Sequence, residues 1–256
     1  MSELKKISFD EESNEIKEAV VSYWSKRAES FAEHKHAEIH SDKVALWRDE
    51  FQQNLPKGEK LRILDVGCGS GFFEAVLAPM GYQVTGIDLT PEMIEKGKAL
   101  LKRHGIDATL LVMDAEQPDF ADESFDVIVS RNLIWTLPHP VEAYERWMRL
   151  LKPGGKLIVY DAEYAKGFHK YNWQENCAHK GVADDMKEEC HKIYHMLSIS
   201  TIDRPIWDME VLQALGFADV RTDTSVGDRI YATRDNFYMP DRMFGIYAVK
   251  LLQNKD

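Results

Sequence analysis

The sequence Leu61-Arg-Ile-Leu-Asp-Val-Gly-Cys-Gly-Ser-Gly71 joins a mostly apolar run to three glycines at alternate positions. Such a run, with an acid near its end, is typical of a buried parallel strand that leads into a turn. After a gap of helical length, a second apolar run, Val84-Thr-Gly-Ile-Asp88, ends in a carboxylate. Glycines let a ligand lie against the backbone without meeting a Cβ atom, and a carboxylate can bind both hydroxyls of a ribose. The two runs therefore predict a βαβ unit that binds a nucleoside.

The spacing of the glycines separates two kinds of nucleoside site. A dinucleotide fingerprint would require glycines at positions 67, 69 and 72 of this sequence, but position 72 is Phe and the third glycine is Gly71. The spacing therefore argues against a dinucleotide site.

Composition predicts one α/β enzyme in a reducing compartment. The chain has 256 residues, 44% of them hydrophobic, and a net charge of −11, so it can bury a sizeable core but has no concentrated basic surface for nucleic acid or an anionic membrane. Three cysteines form no disulfide framework. We find no signal-type apolar core at the start of the sequence and no apolar run near the roughly 20 residues of a membrane span. We therefore expect a cytoplasmic protein without nucleic-acid or membrane partners.

The hydrophobic pattern divides the chain into four segments. Residues 1–58 carry two apolar stripes at helical spacing, which predict an N-terminal helical lid. Residues 59–161 alternate strand and helix and are predicted to form the core that binds a nucleoside cofactor. Residues 162–206 are too long for a simple loop and are interpreted as a helical cap over the substrate, and residues 207–256 complete the sheet. Strands are predicted at 61–66, 83–88, 108–113, 126–130, 156–161, 218–224 and 244–250, and helices at 70–80, 91–103, 140–151 and 207–215.

The alternation of strands and helices predicts the fold class. We expect an α/β protein with a Rossmann-like, seven-stranded, mostly parallel sheet that has helices on both faces. The N-terminal helical lid and a helical cap inserted after the fifth strand would be additions to this sheet.

Further stretches agree with this prediction and indicate a family. Phe125-Asp-Val-Ile-Val-Ser-Arg-Asn132 would be a fourth strand, Leu150-Leu-Lys-Pro-Gly-Gly-Lys-Leu-Ile-Val159 a turn and fifth strand, and Tyr23-Trp-Ser-Lys-Arg-Ala-Glu-Ser-Phe31 an N-terminal helix. Together with the glycine stretch and the strand that ends in Asp88, they resemble the class I S-adenosylmethionine-dependent methyltransferases. The N-terminal helix is similar to that of the small-molecule enzymes related to ubiquinone biosynthesis.

The resemblance implies S-adenosylmethionine as the cofactor and a role for each site residue. Asp88 would bind the ribose hydroxyls and Leu89 would press on the adenine, whose amino group would donate to Asp114, with Asp107 and Glu116 as alternative acids. Asp65 would hold the methionine ammonium, directly or through water, and the carbonyl of Asn132 would line the methionine pocket. The predicted cofactor-binding residues are Asp65, Gly67, Cys68, Gly69, Gly71, Asp88, Leu89, Asp114, Ala115 and Asn132.

The implied reaction is an in-line displacement at the methyl group of a sulfonium, for which a general base is useful only if the acceptor loses a proton. The candidate catalytic residues are Tyr23, His139, Tyr160 and His169, and the candidate substrate residues are Trp24, Arg27, Arg131, Tyr164 and Tyr171. For each of them a core or solvated position is an open alternative, and Arg131 could instead pair with a carboxylate of its own protein. The expected acceptor is a small molecule. Methylation of tRNA or a protein side chain is the alternative, and so is a non-catalytic regulatory or metal-binding protein that binds the cofactor.

A group of cysteines and histidines in the predicted cap could bind a thiophilic metal. It comprises Cys177, His179, Cys190, His191 and His195. The group lacks a local Cys-x-x-Cys spacing, and Cys190 falls on an apolar helical stripe. We therefore predict no metal ligands in this chain.

Overall fold

The seven predicted strands are present in the computed structural model, which describes residues 13–167, 182–239 and 241–252. Each predicted strand agrees with an observed one, and the ends differ by at most one residue except at the start of β5. The strands are β1 (Arg62–Val66), β2 (Gln83–Asp88), β3 (Thr109–Val112), β4 (Phe125–Arg131), β5 (Leu151–Asp161), β6 (Phe217–Asp223) and β7 (Phe244–Lys250).

The sheet has the order β3-β2-β1-β4-β5-β7-β6. Strands β1 to β5 are parallel, whereas β7 runs antiparallel to both β5 and β6. The order reverses at β1, where the chain crosses from β3 over to β4. In an open α/β sheet the crevice at such a switch point, beyond the carboxyl ends of the strands, is where ligands bind. The predicted Rossmann-like sheet is therefore confirmed, and its topology selects the edge that carries the site.

Strand β5 begins earlier than predicted. It pairs with β4 already at Leu151, opposite Phe125, and the register shifts before Val127 pairs with Lys156. The Lys-Pro-Gly-Gly sequence at 152–155, which predicts a turn, lies inside this irregularity, where Gly154 has a positive φ of 80°. A bulge thus accommodates the turn signal without ending the strand.

Helices cover the sheet. They are α1 (Ser13–Glu38), α2 (Lys43–Asn54), α3 (Phe72–Leu77), α4 (Pro91–His104), α5 (Pro140–Leu150), α6 (Tyr164–Gly167), α7 (Asp184–Met196), α8 (Ile206–Leu215) and α9 (Val226–Ile230). The sequence explains the bounds of helix α4. Thr90 and Pro91 begin the helix, and Gly105 ends it in a left-handed conformation with φ 62°. No helix among the described residues is long and apolar enough to cross a membrane.

The hydrophobic core has two main parts. One contains Trp147 of α5, Trp207 of α8 and Tyr23 of α1, and the other contains Trp47 and Phe51 of α2. A smaller cluster lies beneath α4. Because Ile16, Tyr23 and Ala28 of α1 are buried, this helix contributes to the core as well as covering the edge of the sheet. The lid and cap roles predicted for residues 1–58 and 162–206 stay predictions.

Candidate active site

The glycine turn after β1 is held open by hydrogen bonds to the neighbouring strand. The backbone N–H groups of Gly67 and Cys68 donate to the carbonyl of Ile87, at 2.8 and 2.9 Å. Gly67 and Gly69 both have positive φ values, 72° and 54°. A Cβ atom at Gly67 would lie 2.8 Å from the side chain of Leu133, and one at Gly69 would lie 3.2 Å from Phe31. Glycine is therefore needed at both positions, for conformation and for space.

Asp88 ends β2 directly beside this turn. Its carboxylate accepts hydrogen bonds from the backbone N–H groups of Gly69 and Thr90, each at 2.9 Å. Burial raises the pKa of Asp88, and the two backbone donors oppose this rise. The two N–H groups orient the carboxylate, and each oxygen retains acceptor capacity for a further donor. This is the geometry that a ribose diol requires.

A cleft of about 770 Å³, counting the part open to solvent, lies at this edge of the sheet. Helix α1 forms one wall, the ends of β1 to β3 form the floor, and the segment after β4 closes the far side. The lining residues are Lys17, Val20, Trp24, Phe31, Gly67, Gly69, Asp88, Leu89, Thr90, Met93, Asp114, Ala115, Arg131, Asn132, Leu133, Thr136, Leu137 and Pro138.

A smaller compartment adjoins the cleft behind the glycine turn. It shares Gly67, Gly69 and Asn132 with the cleft and adds Asp65 and Cys68. Asp65 is 2% exposed, and its Oδ1 atom has no hydrogen-bond partner among the described residues. Burial raises the pKa of Asp65 to about 8; the charge of Arg131 opposes this rise and the charge of Asp88 adds to it. A buried acceptor without a partner costs free energy, so this compartment fits a ligand that brings a cationic donor.

The backbone and side chain of Cys68 also lie in this compartment. Burial raises the pKa of the Cys68 thiol well above its ordinary value, and the charges of Glu74 and Asp88 add to the effect. A thiol that stays protonated is a poor nucleophile. Cys68 is therefore a packing or lining residue.

Two cations, Lys35 and Arg131, line the smaller compartment, and Arg131 also lines the cleft. The guanidinium of Arg131 lies 4.4 Å from the centre of the Phe72 ring and donates to the Tyr231 hydroxyl at 3.1 Å. It also lies 3.5 Å from Glu38, and Lys35 pairs with the other oxygen of Glu38 at 2.5 Å. Arg131 thus pairs with a carboxylate of its own protein while lining the cleft.

This cluster explains two shifted groups. Burial, with the charge of Arg131, lowers the pKa of Lys35 to about 8. Burial alone would raise the pKa of Glu38, but the charges of Lys35 and Arg131 lower it to about 2. One carboxylate therefore compensates two cations, so the compartment carries a net positive charge when Lys35 is protonated and Asp65 is neutral.

Of the three acids considered for the adenine amino group, only Asp114 lines the cleft. Asp107 is exposed before β3, and Glu116 is buried and accepts a hydrogen bond from the backbone N–H of His139. Lys17 of α1 bonds to both Asp114, at 2.7 Å, and Glu116, at 2.5 Å. The lysine thus connects the N-terminal helix to the end of β3. It has no counterpart among the sequence predictions.

Asn132 follows β4 with a positive φ of 57°. Its backbone N–H donates to the carbonyl of Tyr160 at 2.8 Å, and its Oδ1 accepts a hydrogen bond from the Tyr164 hydroxyl at 2.6 Å. Burial raises the pKa of Tyr164 well above its ordinary value, so the hydroxyl stays a donor. Tyr164 therefore positions Asn132 from behind and does not itself line the cleft.

The structure separates the catalytic candidates. Tyr160 is fully buried among the aromatic residues beneath α2, and its hydroxyl lies 3.3 Å from Glu50. Tyr23 is also buried, and burial together with the neighbouring Cys190 raises its pKa. His139 begins α5, next to Pro138 of the cleft lining. Tyr23 and Tyr160 are thus core residues, which argues against a direct role for either, whereas His139 stays a prediction at the rim.

The remaining predicted residues have mixed outcomes. Trp24, Leu89 and Ala115 line the cleft, but Arg27 does not. Gly71 lies behind the turn, where its φ of 85° starts α3, and lines neither compartment. His169, Tyr171, Cys177 and His179 lie outside the described residues. His191 and His195 of α7 have their Nε2 atoms 3.0 Å apart, and the absence of a metal there stays a prediction.

Sequence reasoning predicted Trp24 as a site residue but missed Lys17, Val20 and Phe31 on the same face of α1. Lys17, Val20, Trp24 and Phe31 all line the cleft and lie three, four and seven residues apart, a spacing that keeps side chains on one side of a helix. The spacing was visible in the sequence, but its apolar members read equally well as core residues. Sequence reasoning also missed the segment 133–138 of the cleft lining, because its hydrophobic pattern has neither helical nor strand periodicity.

Comparison with known proteins agrees with this geometry. Residues 64–159 match the family described as "Methyltransferase domain". The ubiquinone biosynthesis O-methyltransferase of Xanthomonas oryzae pv. oryzae is 38% identical over 103 residues, covering 38% of this chain and 41% of the relative. The chain therefore aligns with about two-fifths of the length of such curated relatives. The family match covers the segment that carries the glycine turn and Asp88.

Solved structures extend the likeness to most of the fold. A SAM-dependent methyltransferase from Aquifex aeolicus has a TM-score of 0.56 at 18% identity, covering 84% of this chain and 98% of that one. A Haemonchus contortus phosphoethanolamine N-methyltransferase, solved with S-adenosyl-L-methionine, has a TM-score of 0.57 at 20% identity, covering 82% and 52%. These similarities show the fold. The family match over residues 64–159 agrees with the resemblance to the class I S-adenosylmethionine-dependent methyltransferases found in the sequence.

Proposed function

We propose that this protein transfers the methyl group of S-adenosylmethionine to a small-molecule acceptor by in-line displacement. The observation that carries the proposal is the cleft in which Asp88 and the glycine turn form the floor and Trp24 of α1 forms a wall. The methyltransferase family match over residues 64–159 supports the same reaction class.

The residues of the chain fit the cofactor at both ends. Asp88 would accept hydrogen bonds from the ribose hydroxyls, since its two backbone donors leave acceptor capacity on both oxygens. The unpartnered Oδ1 of Asp65 would accept the ammonium of the methionine half. The positive charge of Lys35 and Arg131 next to Asp65 suits the methionine carboxylate. When bound, the cofactor supplies a methyl group on a sulfonium, whose leaving group is neutral.

The walls of the cleft favour alignment as the main source of catalysis. Val20, Trp24, Leu133 and Leu137 would exclude water from the transfer path and hold an apolar or aromatic acceptor. Oriented approach of this kind can supply roughly 7–11 kcal/mol of the barrier. No His, Tyr or Cys occurs among the described residues that line the cleft. We therefore propose that positioning, rather than a general base in the lining, provides most of the acceleration.

Small molecules fit the cleft better than the alternative acceptors. Its two cations, Lys17 and Arg131, are both paired with carboxylates of the protein, so they offer little free positive charge for the phosphates of a tRNA.

The free thiols of Cys68 and Cys190 suit a reducing compartment, for which we propose the cytoplasm.

The test is a transfer assay with cofactor carrying an isotopic label in its methyl group. The protein is incubated with fractionated metabolites, and a labelled small product is identified by mass. We expect the label to appear in one fraction and, at a limiting concentration of cofactor, to fall strongly with an Asp88→Ala variant. Label in RNA or in protein would support the alternative acceptors. Tight binding with no transfer to any fraction would favour a non-catalytic binding protein and overturn the proposal.

A further inference from the structure

Three histidines converge on the surface at the end of α1, away from the lining of the cleft. They are His36 of α1, His40 in the turn that follows it, and His104, the last residue of α4. One potential ligand nitrogen from each of the three lies within 4.8 Å of the others. No other such group of three occurs in the described part of the chain.

The rings are arranged to converge and not to stack. Their centroids lie 4.7, 5.3 and 5.0 Å apart with interplanar angles of 45°, 44° and 58°. A tetrahedral metal ion with Zn–N bonds of about 2.0–2.1 Å holds its ligand nitrogens about 3.4 Å apart. His36 and His104 are half-buried and His40 is exposed, so small rotations of these side chains would bring the nitrogens to that spacing.

The hydrogen bonds of the group set up two of its nitrogens as ligands. Nδ1 of His40 lies 2.7 Å from the carbonyl of His36, and since a carbonyl only accepts, this nitrogen carries the proton and Nε2 retains its lone pair. Metal-binding histidines commonly donate their second nitrogen to a backbone carbonyl in this way. The Nε2 atom of His104 is buried and has no hydrogen-bond partner among the described residues. A metal ion would satisfy it.

The donor type of the group selects the kind of metal. Three imidazole ligands favour borderline transition metals such as Zn²⁺, Co²⁺ or Ni²⁺ over Mg²⁺ or Ca²⁺, which prefer oxygen ligands.

We propose that His36, His40 and His104 bind one divalent transition-metal ion that links α1 to α4. Both helices line the cleft, α1 through Trp24 and Phe31 and α4 through Met93. The two helices are already joined along their length by Ser25 with Glu92 and by Lys96 with Glu29. Ile39, between the histidines, packs against the small core beneath α4. The metal would complete this contact and stabilise α1 in its docked position.

The test uses the full chain after treatment with a chelator, titrated with Zn²⁺ alone. We expect one ion per chain with a micromolar or lower dissociation constant, visible absorption on substitution with Co²⁺, and no response to Mg²⁺. At a hundredfold excess of Zn²⁺ over that constant, Tm should rise by roughly 5–10 °C.

Two single variants locate the site. His40→Gln and His104→Gln should each weaken Zn²⁺ binding at least tenfold and abolish the rise in Tm. His40 is exposed, so a Tm of the metal-free His40→Gln variant equal to that of the parent shows that the fold is intact.

Two further variants are matched controls. His34→Gln changes a histidine of the same helix whose Nε2 contacts the carbonyl of Asn236, and the double variant His191→Gln with His195→Gln removes the pair on α7. Both should bind Zn²⁺ like the parent. The proposal is overturned if Zn²⁺ fails to bind, if His40→Gln and His104→Gln bind it unchanged, or if only the α7 variant loses it. These readouts do not depend on methyl transfer.

Discussion

Two carboxylates, the buried Asp65 and the half-buried Asp88, define the proposed cofactor site at the scale of single residues. Asp88 has two backbone donors, whereas one oxygen of Asp65 has no partner among the described residues. The Asp88 carboxylate is thus oriented before any ligand binds, whereas the Asp65 carboxylate has an oxygen without a hydrogen-bond partner. This difference predicts different responses to substitution and to pH.

Replacing Asp88 with Ala should weaken the binding of S-adenosylhomocysteine roughly 10- to 150-fold, because hydrogen bonds to a charged group contribute about 1.5–3 kcal/mol. Isothermal titration calorimetry measures this change. Asp88→Asn keeps the shape but loses one acceptor and should give a smaller loss. Asp107→Asn, at an exposed acid outside the cleft, is the control and should bind like the parent. Unchanged affinity in Asp88→Ala would place the ribose contact elsewhere.

Asp65 should make cofactor binding depend on pH. Its pKa of about 8 means that the free protein holds this group protonated at pH 7, whereas an ammonium ligand favours the ionised form. Binding should therefore release a proton, and affinity should rise between pH 6 and pH 8 by at most tenfold per unit. Calorimetry of S-adenosylhomocysteine in buffers of different ionisation enthalpy measures the proton release. Asp65→Asn should bind more weakly and without this slope; a parent protein that releases no proton contradicts the assignment.

The carboxyl of Asp65 should also make the stability of the fold depend on pH. This stability falls as the pH rises, whereas cofactor affinity increases. A carboxyl whose pKa is raised on folding binds more protons in the folded state than in the unfolded state, whose Asp pKa is about 3.9. Its contribution to stability is full below pH 4 and is lost as the pH rises through about 8. We expect the stability gained by Asp65→Asn over the parent protein, measured by urea unfolding, to grow from pH 5 to pH 8.5. An equal difference at both pH values would mean that Asp65 titrates normally.

Helix α1 has two functions at the scale of elements. Neighbouring residues on it point to different places: Tyr23 is buried in the core, and Trp24 lines the cleft. Helix α7 packs on the outside of α1, where Lys26 pairs with Glu189 at 2.8 Å. Deleting the N-terminal segment would thus remove core packing and cleft wall together, so single substitutions separate the two functions better.

Trp24→Ala should lower the affinity for cofactor or acceptor at least tenfold while leaving Tm within a few degrees of the parent. Tyr23→Ala is the matched comparison, because removing a buried aromatic side chain costs about 3–5 kcal/mol of stability. Binding by calorimetry and unfolding by circular dichroism measure the two effects. If Trp24→Ala retains both affinity and turnover, α1 has only a structural role.

The whole molecule combines a parallel sheet with a switch point at β1 and additions at both ends of the chain. The turn at this point differs from a dinucleotide turn at one position, where Phe72 is buried beneath the guanidinium of Arg131. Arg131 pairs in turn with Glu38 at the end of α1. In a dinucleotide turn the third glycine allows the helix to pack closely against the strand, whereas here a bulky aromatic side chain occupies that position.

This arrangement predicts the specificity for the cofactor. S-adenosylmethionine and S-adenosylhomocysteine should bind with micromolar dissociation constants, whereas NAD should show no binding at millimolar concentration. Parallel titrations under one buffer condition test this. Preference for NAD would contradict both the glycine spacing and the methyltransferase assignment.

The sequence by itself determined the sheet and the ligand-binding end of it. Hydrophobic alternation and glycine spacing are local signals, since each is set by the geometry of one strand or one turn. They predicted all seven strands and, through the resemblance, placed Leu89, Asp114 and Ala115 in the cleft. The position of each residue along those strands and turns could be predicted without knowing which elements pack together.

Only the tertiary structure decided which polar and aromatic residues meet. Tyr160 has the residue type of a catalytic group but packs under α2, while Lys17, Lys35 and Glu38, more than 60 residues before β3 and β4, reach the site through α1. His36 and His104 are likewise distant in the chain and adjacent in space. Such contacts depend on how whole helices pack against the sheet. Periodicity along the chain shows that a helix has an apolar face, but not which neighbour that face will meet.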